Sequence, residues 1–159
     1  MTVSAEDLRH LERCVELAEA AVAAGDEPFG SVLVAADGTV LMEDHNHVSG
    51  GDRTRHPELA IALWAAEHLP PADRAGLTVY TSGEHCAMCA AAHAWAGLGR
   101  IVFATSTPQL VAWLDELGLP PAPVAPLRIA DVAPGVPVDG PVEEYAERVR
   151  ALHVRHHRG

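Results

Sequence analysis

The sequence predicts an α/β fold, one mixed sheet with helices on both faces. Two observations carry that expectation. Short apolar runs that read as strands alternate with longer stretches of helical period, in the order α-β-β-α-β-α-β-α-β-α. The first two strands flank the turn pair Asp37-Gly38, a hairpin signal, so the alternating units that follow extend a sheet begun by a hairpin.

Each element has its own reason. Residues 5–24 place Leu8, Leu11, Val15, Leu17 and Ala18 at helical spacing, and Gly25 stops the helix. SVLVAADGTVLMEDHN (31–46) supplies the hairpin. Residues 58–69 read as a helix ended by Pro70-Pro71. LTVYTS (77–82) is a buried strand, 86–97 a helix with its stop at Gly97-Leu98-Gly99, and RIVFATS (100–106) another apolar strand. Residues 108–117 form a short helix. Prolines crowd 118–141, leaving LRIADV (127–132) as the only strand candidate there, and EEYAERVRALHVRHH (143–157) closes as a helix. No repeat or low-complexity linker interrupts the chain. Residues 1–159 are therefore expected as a single domain, with 118–159 adding the last strand and helix.

Composition bounds the function. A chain of 159 residues buries roughly 70% of its unfolded surface, enough for a real core. No apolar run is long enough to span a bilayer, and the acidic, amphipathic start lacks an export pattern, so a cytoplasmic setting is expected. The net charge is −11, and all 11 basic residues are arginine. Without lysine, Schiff-base, pyridoxal and Walker-loop chemistry are excluded. The acidic balance argues against a broad phosphate-binding surface, so neither nucleic acid nor membrane is an expected partner.

Two of the three cysteines sit at Cys-x-x-Cys spacing in SGEHCAMC (82–89). A disulfide is rare in cytosol. A redox dithiol fits a helix start after a strand and stays open. A zinc ribbon would need a second Cys-x-x-Cys, and Cys14 reads as a small core residue. The metal reading needs a third ligand near an acid, and RTRHPELAIALW (53–64) holds both in His56 and Glu58, with Pro57 at its favoured first-turn position. His56, Cys86 and Cys89 would give zinc three protein ligands and an open fourth position, the mark of a catalytic site. Zinc lowers the pKa of water to about 7, and Glu58 stands ready to carry the proton. His93, on the same helical face as the cysteines, offers a rival closed Cys2His2 site with His56, which would be structural. Trp64 reads as core, and His153, His156 and His157 as a solvated tail.

HPE (56–58) and EHCAMC (84–89) resemble the His-x-Glu and Pro-Cys-x-x-Cys signature of the zinc-dependent cytidine deaminase superfamily. EPFGSVLVAADGTVLMEDHNHV (27–48) resembles the pocket loop and hairpin of its guanine deaminase and tRNA adenosine deaminase branch. AAAHAWAGLGRIVFAT (90–105) resembles the helix and strand after the cysteines. The resemblance spans roughly residues 5 to 117. It implies a three-layer α/β/α sandwich around a five-stranded mixed sheet, a homodimer, zinc on His56, Cys86 and Cys89, and Glu58 as proton shuttle. Asn46, the only asparagine, becomes a substrate-contacting amide and Phe29 a pocket wall. The implied reaction is hydrolytic deamination: zinc-activated hydroxide attacks the ring carbon that bears the amine, Glu58 moves the protons, and ammonia leaves.

The chain also departs from the pattern. His85 replaces the usual proline and is either a pocket-rim residue touching substrate or a tolerated loop residue. Pro57 replaces alanine, and Arg53 and Arg55 flank the histidine. Trp95 reads as packing, in the core or between subunits, or as a base-stacking wall. The expected activity is deamination of a free nucleobase, nucleoside or related aminated ring, guanine-type first, within purine metabolism. A tRNA adenosine or a cytosine- or triazine-type substrate is the alternative, and a structural zinc module the non-enzymatic one.

Overall fold

The computed structural model describes residues 2–159. Its sheet runs in the order β2-β1-β3-β4-β5, with β1 Gly30–Val34, β2 Val40–His45, β3 Thr78–Gly83, β4 Ile101–Thr105 and β5 Val138–Asp139. β1 is antiparallel to both β2 and β3, while β3, β4 and β5 are parallel. Mixed pairing follows from the connections: a tight hairpin joins β1 to β2, and helical crossovers join β3, β4 and β5.

Strand alternation divides the core in two. Val32, Val34, Tyr80, Val102 and Ala104 face α1 (Ala5–Ala23) and α7 (Ala146–Arg158), where Leu11, Val15, Ala18, Val149 and Leu152 meet them. Leu33 and Val79 face the opposite layer, built from α2 (Pro57–His68) and α4 (Ala87–Trp95) with Ile61, Ala65 and Leu98. α1 lies so close to β1 that a Cβ on Gly30 would overlap the Cys14 carbonyl. Its start is fixed by a capping box, in which Ser4 accepts from the Asp7 N–H and Asp7 accepts from the Ser4 N–H.

Asp7 has a second task. Its carboxylate accepts two bonds from Arg100 at 2.9 and 3.0 Å and one from the Tyr80 hydroxyl at 2.7 Å, while Arg100 also donates to Asp139. Burial alone would raise the Asp7 carboxyl, but Arg100, the Ser4 N–H and Tyr80 outweigh it and hold the group well below the usual range. The network ties α1 to β3, β4 and β5.

Three expectations are corrected. LRIADV is not a strand: Ile129–Val132 is a short helix, α6, and the fifth strand is the two-residue β5. The reason lies in the backbone donors. The N–H of Arg128 goes to Asp131 and that of Ile129 to Glu84, so carboxylates cap a helix where a ladder would need free N–H groups. His153 is no tail residue. It lies on the buried stripe of α7, with its ring 5.3 Å from Phe29 and 5.9 Å from Trp113. Trp64 is only half-buried, stacked on His68. Two further helices complete the chain, α3 (Pro71–Arg74), which the sequence reading did not mark, and α5 (Thr107–Glu116).

Candidate active site

Two helix N-termini meet at the end of the sheet where β3 and β4 finish and β1 begins. His56 is the N-cap of α2, held extended because a proline follows it, and Pro57 costs nothing at N1 because that N–H has no helical partner. Cys86 is the N-cap of α4, and Cys89 lies buried in its first turn. Both helices direct their positive ends at the same point, which favours thiolate and carboxylate there.

His56 Nδ1 lies 3.6 Å from Cys86 Sγ and 3.5 Å from Cys89 Sγ. Zinc bonds of about 2.3 Å to sulfur and about 2.05 Å to nitrogen, set at the tetrahedral angle, put S and N about 3.6 Å apart. The spacing and the N/S donor set therefore fit zinc, and these three side chains are the ones that would hold it. Hydrogen bonding from Cys89 and His56 holds the Cys86 thiol down to about 4, against burial, while the bond to Cys86 lifts His56 to about 9. The neighbouring Cys86 sulfur and burial push Cys89 up.

Glu58 is buried on the first turn of α2, against Cys89 and His56. Burial raises its carboxyl to about 7, with His56 pulling the other way. Two strand hydroxyls lie beside it. Ser31 Oγ is 3.0 Å and Thr81 Oγ1 3.3 Å from Glu58 Oε1, and the two hydroxyls are 2.9 Å apart. Each hydroxyl has one proton to give; Thr81 has the Gly83 carbonyl within 3.0 Å as a closer acceptor, so Ser31 is the hydroxyl free to donate to Glu58. Glu84 anchors the cysteine loop from behind. It accepts from the N–H of Thr107 at 2.9 Å, Nε of Arg128 at 2.8 Å and the N–H of Ile129 at 2.9 Å.

The remaining expected residues separate. Asn46 is buried beside the site loop, its Oδ1 accepting from the N–H groups of Glu27 and Val48, which defines the oxygen end and leaves the NH2 as donor. Phe29 packs its ring edge over Gly83, where a Cβ would stand 3.1 Å away. His85 is not on an exposed rim. It is buried, edge-on to His93 at 5.5 Å between ring centroids. His93 donates from Nε2 to the Gly99 carbonyl at 2.7 Å and does not join the His/Cys/Cys group, so the closed Cys2His2 arrangement does not form among the described residues. Trp95 is 90% exposed at the far end of α4, nine helical rises of 1.5 Å from Cys86, or roughly 13 Å along the axis. It does not wall this chain's own site. Arg53 and Arg55 are exposed.

Sequence reasoning missed Ser31, Thr81 and Glu84. The first two carried a signal, since each is a hydroxyl at a buried position of an apolar strand. An apolar groove of about 350 Å³, lined by Leu110, Leu114, Pro120 and Leu127, opens beside Glu84 and Cys86.

Residues 4–105 match the family described as the cytidine and deoxycytidylate deaminase zinc-binding region. A probable cytosine deaminase of Schizosaccharomyces pombe is 33% identical over 117 residues, covering 73% of this chain and 70% of that protein. A guanine deaminase of Bacillus subtilis is 36% identical over 96 residues, 59% of this chain and 61% of that one, and a tRNA-specific adenosine deaminase of Agrobacterium fabrum is 32% identical over 106 residues, 66% and 69%. Among solved structures, the guanine deaminase of Nitrosomonas europaea aligns over 99% of this chain and 86% of its own with a TM-score of 0.72; at 21% identity it shows a shared fold reaching through α7. Because the family match takes in well over half of the chain, and with it both halves of the donor set, the protein belongs to the zinc-binding cytidine and deoxycytidylate deaminase family and is a zinc-dependent aminohydrolase.

Proposed function

We propose that this enzyme deaminates a free nucleobase or closely related aminated ring, guanine-type first, with zinc on His56, Cys86 and Cys89 and with Glu58 moving the protons. One observation carries the reading: a buried carboxylate, hydrogen-bonded by the Ser31 hydroxyl, stands against the His/Cys/Cys group. Bound there, zinc supplies Lewis-acid activation of water. Glu58 would accept one proton from water on its second carboxylate oxygen and pass it to a ring nitrogen, then take the proton of the hydroxyl added to the ring carbon and deliver it to the departing amine. The Asn46 NH2 donates to a ring carbonyl or ring nitrogen and fixes the ring's orientation. Phe29 bounds one face.

Three observations support a free ring over a base on RNA. The net charge is −11 without a lysine. The chain's own α7 lies over the pocket loop, placing His153 against Phe29. The guanine deaminase of B. subtilis has the highest identity of the relatives named above. A cytosine-type ring is the second reading, favoured by the longer match to the S. pombe protein. All three cysteines are free, which suits a reducing cytoplasm, and no helix among the described residues is long and apolar enough to cross a membrane.

The homodimer belongs to the same proposal. Trp95 (90% exposed) and Leu63 (60%) stand on α4 and α2, two helices packed side by side, and a second copy of the chain would bury them. Sedimentation of Trp95→Asp should show monomer where the parent protein is dimeric; a parent that sediments as monomer at all concentrations sinks the assembly.

The test of function is ammonia release from zinc-loaded protein. The substrates are guanine, adenine, cytosine, their nucleosides, aminated triazines and pterins, and a tRNA anticodon stem-loop. Guanine should lead, and Glu58→Ala should lose turnover while keeping its zinc by metal analysis. Turnover retained in that variant removes Glu58 from the mechanism, and a cytosine or stem-loop preference moves the substrate class.

A further inference from the structure

We propose a second divalent-metal site, built from Asp26, His45 and His47 at the open end of the β1–β2 hairpin. Each of the three residues offers a ligand atom within 4.8 Å of the others. They come from separate pieces of chain. Asp26 lies in the turn after α1, where its N–H is tied to the Ala21 carbonyl, and His45 and His47 straddle the end of β2.

The surroundings are arranged as a metal site requires. His45 Nδ1 lies 2.7 Å from the Asn46 carbonyl oxygen, and His47 Nε2 lies 2.9 Å from Asp44 Oδ1. Both oxygens only accept, so both nitrogens carry the proton, and the other nitrogen of each ring is left with its lone pair. A ring N–H given to a carbonyl or carboxylate is how metal-ligating histidines are oriented. The rings are stacked, 4.4 Å between centroids and 29° between planes. Asp26 is 3% exposed, with Oδ1 accepting from the Ser49 N–H at 2.9 Å, which holds the carboxylate in place.

The donors name the class of ion. Two imidazoles and one carboxylate, with no sulfur, suit a first-row divalent cation such as zinc, iron(II), nickel or copper better than calcium or magnesium. With two neutral rings and one carboxylate, the site carries +1 when filled, and Asp44 behind His47 balances it. A tetrahedral centre draws N and O donors to roughly 3.4 Å, so His47, which is exposed, swings inward on binding. That movement makes the site weaker than the one at the cysteines.

The consequence reaches the substrate. Asn46 lies between the two histidines, and its carbonyl is already the partner of His45. A cation here would clip the end of β2 to the turn after α1 and to the Ser49 N–H, fixing the backbone of Asn46. This last step rests on the reading of Asn46 as a substrate contact; the metal site does not.

The experiment counts metal. Protein stripped of metal is dialysed against zinc, and bound ion per chain is measured, with cobalt(II) as the spectroscopic probe. Thiolate-to-cobalt charge-transfer absorption reports the cysteine site alone. Two equivalents per chain are expected for the parent protein. His47→Ala should bind one, with the thiolate–cobalt absorption unchanged, and Cys86→Ser should keep the second equivalent. Asp44→Asn should weaken the second ion by about 10- to 100-fold, as loss of an orienting partner does. A single equivalent in the parent at saturating zinc overturns the site. So does a second equivalent that survives both His47→Ala and Asp26→Asn, or one lost only when His156 and His157 of the C-terminal helix are replaced. Loss of ammonia release without loss of metal would count against the function proposed above and leave this site standing.

Discussion

Glu84→Ala should cost about 3 kcal/mol of stability and loosen the zinc ligands with it. Three bonds converge on this carboxylate. The Ile129 N–H belongs to a fully buried residue, so losing its acceptor strands a donor away from water, at about 1–3 kcal/mol. The Thr107 N–H, at the first turn of α5, is half-buried and loses about 1 kcal/mol. Arg128 is 42% exposed on its side chain, and its pair with Glu84 contributes less than about 1 kcal/mol. Arg128→Ala should therefore be several times milder than Glu84→Ala, although both remove the same ion pair. Urea unfolding of metal-free protein measures both variants, and a chelator competition measures zinc. Glu84 precedes the proposed ligand Cys86 by two positions, so once α5 and α6 are released the cysteine loop loses its rear anchor and zinc affinity should fall in parallel. A cost for Glu84→Ala below about 0.5 kcal/mol, the range of ordinary surface substitutions, would refute the reasoning, as would equal costs for the two variants.

Ser31→Ala should lower kcat roughly tenfold, about one charge-assisted hydrogen bond, with KM and bound zinc unchanged, because Ser31 orients Glu58 without touching the metal or the ring; an unchanged kcat removes Ser31 as a positioning residue. His153 should make the fold acid-sensitive. Burial, with His156 and His157 adding to it, holds its imidazole down to about 3, against about 6.5 unfolded, so its stability is complete above pH 6.5. As pH falls from there toward 3 the unfolded chain takes up the proton first, and stability drops by about 1.4 kcal/mol per unit. His153→Phe should flatten that slope in unfolding curves at pH 7 and pH 5; an unchanged slope would mean that the ring is not buried neutral.

The proposed zinc ligands and Glu58 stand out in the sequence because their chemistry is local. His56, Glu58, Cys86 and Cys89 all sit within the first turn or cap of a helix, where three-residue spacing decides what can converge. The partners that hold them are not local. Glu84 meets Ile129 across 45 positions and Ser31 meets Thr81 across 50, and no periodicity encodes either pairing. The same distance explains the misplaced fifth strand. LRIADV has strand composition, but Glu84 takes the N–H that a ladder would use. β5 has only two residues, too few to show alternation, and is held by Arg100 reaching Asp139. His153 was obscured differently. It sits among basic tail-like residues, and only the packing of α7 on α1 shows that the buried stripe continues through it.

On the proposed function, catalysis and substrate choice fall in different parts of the chain. β1 runs antiparallel to β3, and β3 parallel to β4, so the start of β1 and the ends of β3 and β4 share one edge. Ser31, Thr81, Cys86 and the Glu84 anchor all hang on that edge, and their positions follow from backbone register. The crevice outside the carboxyl ends of the strands is where open α/β sheets bind ligands. The elements that would judge the ring are hung more loosely. Asn46 is held by two backbone N–H groups of its loop, Phe29 by Gly83 and the α7 histidine, and the apolar groove by the proline-rich stretch before α6. That stretch and α7 both lie beyond residue 105, where the family match ends. A change of substrate is therefore reachable by replacing Asn46 or the 118–127 segment without disturbing zinc or Glu58, whereas replacements at Ser31, Thr81 or Glu84 should lower turnover on every ring alike.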